Sequence, residues 1–274
     1  MKEKALISPG DVVAPALTWL NTHAHGLFQA ISVSVEAVLA AAEAALTALP
    51  APVMAVMIVG LVLWRQGLGM AALSAACLAL AGLSGLWIAT MQTVALVTLS
   101  VLVAVLIAFP LGVLAAKRPK LEATLRPVLD LMQTVPPWVY LIPAVMIFSL
   151  GKVPALLATV IYGIPPMLRL TTLAFRQVPR ELVELGAASG ATPWQTLTRI
   201  EIPSARKTLL IGLNQCILLS LAMVVLAGLV GAGGLGAEVT RGLTRMEMGL
   251  GLRSGLSIVA VAIFMDRITR RAFG

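Results

Sequence analysis

From residue 51 onward the chain is a series of long apolar runs separated by short polar segments. A membrane-spanning helix needs about 20 mostly apolar residues, within a range of roughly 17 to 25. Seven runs read as spans, near 51–66, 67–88, 90–116, 127–150, 153–175, 205–230 and 249–266. The first has the shortest apolar core, Pro52 to Trp64, with Arg65 directly after it. Residues 31–49 follow another rule. Ser32, Glu36, Glu43 and Thr47 recur at spacings that share one helical stripe, on a background of Ala, Val and Leu. That pattern predicts an amphipathic helix lying on the membrane surface. The alternative is the same helix packed against the spans with its glutamates in water. The organisation is then an extracytoplasmic or interfacial segment, 1–50, followed by a transmembrane domain, 51–274.

Two spans carry helix breakers. The fourth reads Gln133-Thr-Val-Pro-Pro-Trp-Val-Tyr-Leu-Ile-Pro143, and the fifth contains Gly163-Ile-Pro-Pro166. Proline removes a helical hydrogen bond and kinks the axis. In lipid the freed carbonyls need protein or water partners, so these spans border a cavity or are simply bent.

Composition supports an all-α polytopic membrane protein. The 274 residues are 59% hydrophobic and 12% charged, against roughly a quarter charged in soluble domains. The net charge of +8 does not imply nucleic acid, because the basic residues flank apolar runs. Their bias sets orientation. Arg65, Lys117, Arg118, Lys120, Arg126, Arg176, Arg180, Arg199, Arg206, Lys207, Arg267, Arg270 and Arg271 fall on one side. Lys2, Lys4, Lys152, Arg241 and Arg245 fall on the other. The richer side is cytoplasmic, which places 176–207 and the C-terminus inside, and the N-terminus and 231–248 outside. The first ten residues lack the apolar core of a cleavable signal peptide. Cys77 and Cys216 lie in apolar runs and read as small buried hydrophobes. His23 and His25 are too few for a metal site, which needs three or four ligands.

The polar island within 176–207 folds on paper. Pro179 suits a first helical turn, with helix over 180–189. Gly190 fits the left-handed residue that ends it. Thr192 caps a second helix, with Pro193 in the first turn and Gln195 placed for a capping box. That helix is expected to stop at Pro203. A rigid helix–turn–helix held between two spans can pass a push from a cytoplasmic partner into the membrane domain.

The island resembles the signature loop of ABC-importer permeases: Glu-Ala-Ala, three residues, Gly, nine residues, Ile, one residue, Leu-Pro. Glu184, Gly190, Ile200 and Pro203 stand at the required spacing; Leu185 and Gly186 replace the alanines, and Ile202 replaces the leucine. Flanking segments narrow the resemblance to permeases of the glycine betaine/proline betaine/choline group: Asp130 to Pro143, Pro165 to Thr171, Gln177 to Pro179, Asn214-Gln215, Ala222 to Val225, Gly233 to Gly236, and Arg241 to Leu250. It covers roughly residues 50 to 270.

The resemblance implies a type I importer permease in a bacterial cytoplasmic (inner) membrane. Its ATPase-coupling loop would use Glu184, Gly186, Ala187, Ala188, Gly190, Ile200 and Pro203. Its partners would be two copies of a cytoplasmic ATPase, which carry the ATP and magnesium, an extracytoplasmic substrate-binding protein, and a second copy of the chain itself. The chain has no Gly-x-x-x-x-Gly-Lys-[Ser/Thr] loop and is expected to hold no catalytic site, cofactor or metal of its own. The polar and aromatic residues of the fourth and sixth spans, Gln133, Thr134, Trp138, Tyr140, Asn214, Gln215 and Ser220, are candidates for a translocation path. Asp130, Arg169 and Asp266 sit near cytoplasmic span ends, where a structural or gating role is expected. A permease for an amino acid or a sulfonate is the nearest alternative. A self-sufficient secondary transporter would need ionisable groups along its spans, and their middles are nearly free of charge.

Overall fold

The structure is a computed structural model that describes Pro15, residues 18–20 and residues 22–273. The first ten residues, with Lys2 and Lys4, lie outside the described residues. Every regular element among the described residues is helical. In chain order they are α1 (His25–Thr47), α2 (Ala51–Gln66), α3 (Leu68–Leu83), α4 (Trp87–Lys117), α5 (Pro119–Thr134), α6 (Pro137–Phe148), α7 (Lys152–Arg176), α8 (Arg180–Ala188), α9 (Pro193–Val230), α10 (Gly234–Thr244) and α11 (Met248–Phe273). Five helices among these are long and apolar enough to cross a membrane, or six if the bent pair α5–α6 counts as one.

The core is built on α4, α7 and α9, which approach closely through small residues. A Cβ at Gly112 would stand 2.6 Å from Thr171 Cβ, and one at Gly163 would stand 2.9 Å from Cys216 Sγ. In lipid, where apolar surface gains little from leaving its surroundings, such close approach is what holds helices together. Leu96, Val97, Ala104, Ala108, Leu168 and Val224 fill the space between them.

Three expectations change. Residues 67–88 are not one helix: α3 ends at Leu83, and α4 begins at Trp87 after Gly85 adopts φ +72°. Residues 127–150 are not one span either: α5 and α6 meet at 94°. Val135 and Pro136 are extended there, because each precedes a proline. The Met132 carbonyl would normally accept from the N–H of residue 136, which is proline, and the Tyr140 hydroxyl donates to it instead at 3.0 Å.

The third change concerns α1. It passes the length and apolarity test for a span, and it packs mainly on α4. Phe28 meets Phe148 edge to face at 5.5 Å. Glu43, four turns later, accepts from Lys152 Nζ at 2.6 and 2.7 Å. Phe148 and Lys152 bracket a single turn, so α1 is held to that turn at two places, and Leu39 between them is buried in the main core. Its polar stripe does not simply face water, since Glu43 points into the protein, while Leu27, Val33 and Val38 are exposed.

Candidate coupling loop and translocation face

The loop between α7 and α9 is built as its residue pattern requires. Pro179 precedes α8, with φ −57° and ψ 131°, and occupies the cap instead of the first turn. At the other end Ala191 N–H donates to Gly186 O and Gly190 N–H to Ala187 O, each at 3.0 Å. These paired bonds are the Schellman arrangement, and Gly190 supplies the left-handed residue it needs, φ +74°. One residue on, Thr192 Oγ1 accepts from Gln195 N–H at 3.3 Å, and Gln195 Oε1 accepts from Thr192 N–H at 2.9 Å. The capping box is complete.

α8 and the first turns of α9 close on each other at Gly186. It is buried, and a Cβ there would lie 2.5 Å from Ile200 Cδ1. The exchange of alanine for glycine at this position therefore tightens the packing. Glu184, Ala187, Ala188 and Gly190 stay exposed, Ile200 is half-buried and Pro203 is exposed. Leu185 (64% exposed) and Trp194 (70%) leave large apolar side chains on the surface of an otherwise polar loop.

The expected stop at Pro203 does not occur. The helix passes through a π turn at Leu197–Glu201 and continues to Ala227. Ile202 N–H reaches back five residues to Leu197 O. This one-residue shift lets proline enter at the start of a new α-helical register, where its missing N–H and its ring cost little.

Ion pairs fasten this end of the bundle. Lys117, the last residue of α4, donates to Glu201 of the π turn at 2.8 Å, and the Glu201 side chain is only 11% exposed. Glu122 pairs with Arg126 at 2.9 Å and also with Arg176 at the end of α7. Asp130 pairs with Arg169. A cavity of about 320 Å³ lies among them between α4, α5 and α7. Asp266 pairs along its own helix with Arg270 at 2.9 Å. The Lys117–Glu201 strut was not foreseen; its partners lie 84 residues apart, and no local pattern links them.

The path candidates differ in exposure. Gln133, Thr134 and Trp138 are exposed at the α5–α6 elbow, and Gln215 is exposed on α9. Tyr140 is committed to the elbow. Asn214 and Ser220 are buried. Ser220 lies beside Gly163, and Asn214 Oδ1 has no hydrogen-bond partner among the described residues.

At the opposite end, α10 is capped by α4. Gly234 N–H donates to Gln92 Oε1 at 3.1 Å and Leu235 N–H to Thr93 Oγ1 at 2.8 Å. The glycine-rich segment is thus more than a surface turn. A Cβ at Gly236 would fall 2.0 Å from Val224 O. Arg241 is paired with Glu238 at 2.8 Å, and Leu243, Met246 and Met248 are strongly exposed.

Comparison with known proteins agrees with this architecture. Residues 108–270 match the family described as binding-protein-dependent transport system inner membrane component. The chain is 40% identical over 268 residues to the glycine betaine/proline betaine transport system permease protein ProW of Escherichia coli (strain K12), covering 97% of this chain and 75% of that one. It is 37% identical over 260 residues to the glycine betaine transport system permease protein OpuAB of Bacillus subtilis (strain 168), covering 95% and 92%. Among solved structures, the MetNI methionine ABC transporter in inward-facing conformations superposes with a TM-score of 0.56 at 25% identity, over 68% of this chain and 94% of that one.

Proposed function

The chain belongs to the family of binding-protein-dependent transport system inner membrane components, and from that premise we propose that it conducts glycine betaine or a related quaternary ammonium solute, such as proline betaine or choline, into the cell. The energy comes from a separate ATPase that docks on the loop 180–203. The observation that carries this reading is the loop itself. α8 and the first turns of α9 are locked by a capping box, a left-handed glycine and the Gly186–Ile200 contact, with Leu185 and Trp194 displayed. The Lys117–Glu201 strut joins the loop to the end of α4.

In this topology the loop and the C-terminus face the cytoplasm and the N-terminus lies outside. Two permease copies face each other across the α5–α6 elbow. The exposed Gln133, Thr134 and Gln215 support this, because polar side chains at membrane depth are disfavoured against lipid. ATP-driven closure of two ATPase subunits moves the two loops, and the paired chains open outward to accept substrate. The segment 231–248 receives the binding protein. Arg241 is neutralised by Glu238, so the docking charge falls to Arg245, next to Leu243, Met246 and Met248.

The test is uptake of labelled glycine betaine by proteoliposomes holding the permease, with its ATPase inside and the binding protein outside. Uptake should require ATP and all three components. Uptake by the permease alone on a sodium or proton gradient would refute the reading.

A further inference from the structure

Two cavities at the end of the bundle opposite the coupling loop share a wall. The α2–α3 hairpin encloses an apolar groove of about 730 Å³, floored by small residues that include Ala55, Gly60, Ala79 and Gly82. Ala51 and Trp87 line this groove and also a second cavity of about 730 Å³. The second cavity is mixed: Leu49, Leu86 and Ile88 line it beside Thr47, Gln92, Glu238 and Arg241. Arg241 Nη1 lies 2.8 Å from both oxygens of Glu238. At the junction the Trp87 indole nitrogen is buried and has no acceptor among the described residues. An unpaired buried N–H is unfavourable, which favours an acceptor from outside the described residues.

We propose that the two cavities together form a binding site for one zwitterionic diacyl phospholipid with a phosphoethanolamine headgroup. The acyl chain lies in the α2–α3 groove and the headgroup beside the Glu238–Arg241 pair. An apolar groove that shares a wall with a chamber holding an ion pair has the form of an amphiphile. The chamber offers one carboxylate and one guanidinium side by side. A headgroup carrying both a phosphate and a primary ammonium answers both charges, whereas a phosphatidylglycerol headgroup answers Arg241 alone and brings Glu238 no cation. The Trp87 side chain lines both cavities, at the boundary where the glycerol ester groups of a lipid would lie. Helix length fits as well. α2 and α3 have 16 residues each, about 24 Å, against a hydrocarbon core of about 30 Å. Such a mismatch strains the bilayer locally, and a lipid seated in the protein fills the shortfall. The proposal rests on the membrane location of the chain and not on its substrate.

The test is native mass spectrometry of the delipidated transporter complex titrated with phosphatidylethanolamine or phosphatidylglycerol. One phosphatidylethanolamine should be retained per chain, at least tenfold more tightly than phosphatidylglycerol, and soluble glycerophosphoethanolamine should not displace it. Ala79→Leu, which fills the groove, should weaken retention at least tenfold. Glu238→Gln with Arg241→Gln should bring the two lipids to parity. Equal retention of both lipids by the unaltered chain would overturn the proposal, and this arm decides even if a variant fails to fold. Displacement by the headgroup alone, retention unchanged in the variants, or a co-purifying polypeptide in the groove would overturn it too.

Discussion

Gly190 is the position at which backbone geometry and coupling can be separated. Its φ of +74° closes the turn between α8 and α9, and a Cβ there would meet nothing within 4 Å. The effect of a substitution is therefore conformational and not steric. An L-residue held in the left-handed region costs roughly 1–2 kcal/mol, with asparagine less affected, and a β-branched side chain is a true outlier there. A loss of that size shifts an equilibrium by about 5- to 30-fold. If the ATPase recognises only the closed turn, Gly190→Val should weaken ATPase association by about that factor. ATP-driven uptake should fall by at least as much, while expression and membrane insertion are retained. Gly190→Asn should lie much closer to the natural chain, because asparagine adopts this conformation more readily. The assay is a titration of ATPase onto permease in nanodiscs, paired with uptake in proteoliposomes. Normal association and uptake by Gly190→Val would refute the reasoning. So would equal loss in the Asn and Val variants, since that would point to a side-chain contact and not to the turn.

Further outcomes follow from neighbouring contacts. Lys117→Ala leaves the largely buried Glu201 carboxylate unpaired, which costs about 1–3 kcal/mol; uptake should fall relative to ATP hydrolysis, and Lys117→Glu with Glu201→Lys should restore part of the ratio. Gly186→Ala should be mild, because Ile200 Cδ1 is the mobile end of a side chain, whereas Gly186→Leu should uncouple hydrolysis from uptake. Gly236→Ala forces a Cβ onto the Val224 carbonyl and should destabilise the outer end by about 1–3 kcal/mol or more, read as a lower midpoint in thermal unfolding of the detergent-solubilised complex. With Cys77 and Cys216 replaced, a cysteine at Leu243 should react with an impermeant thiol reagent on intact cells and one at Ser204 should not; the reverse pattern would invert the topology.

Much of the loop could be read from residue type alone. A capping box, a C-terminal glycine and a proline near a helix start act within a few residues, so Thr192, Gln195, Gly190 and Pro193 carry their own geometry. Pro203 was misleading for the same reason. Locally it reads as a stop, and only the five-residue hydrogen bond from Ile202 to Leu197 shows how the helix passes it. The α5–α6 elbow lay half in view: Pro136-Pro137 announces a break, but the 94° angle depends on how α6 packs and on the Tyr140–Met132 bond. The Lys117–Glu201 and Glu43–Lys152 pairs join residues 84 and 109 positions apart, and periodicity carries no information at that range. Glu43 also explains why the polar stripe of α1 misled: one of its members is spent on the protein.

The central claim is that the surface carrying Leu185 and Trp194 is where the ATPase sits. A photo-crosslinking residue placed at position 194 in the assembled complex, with a control at Leu83, which is 90% exposed at the opposite end of the bundle, tests it most directly. The account predicts a covalent adduct with the ATPase subunit from position 194 and none from position 83. An intact complex that yields no ATPase adduct from 194, or yields one from 83, would contradict it.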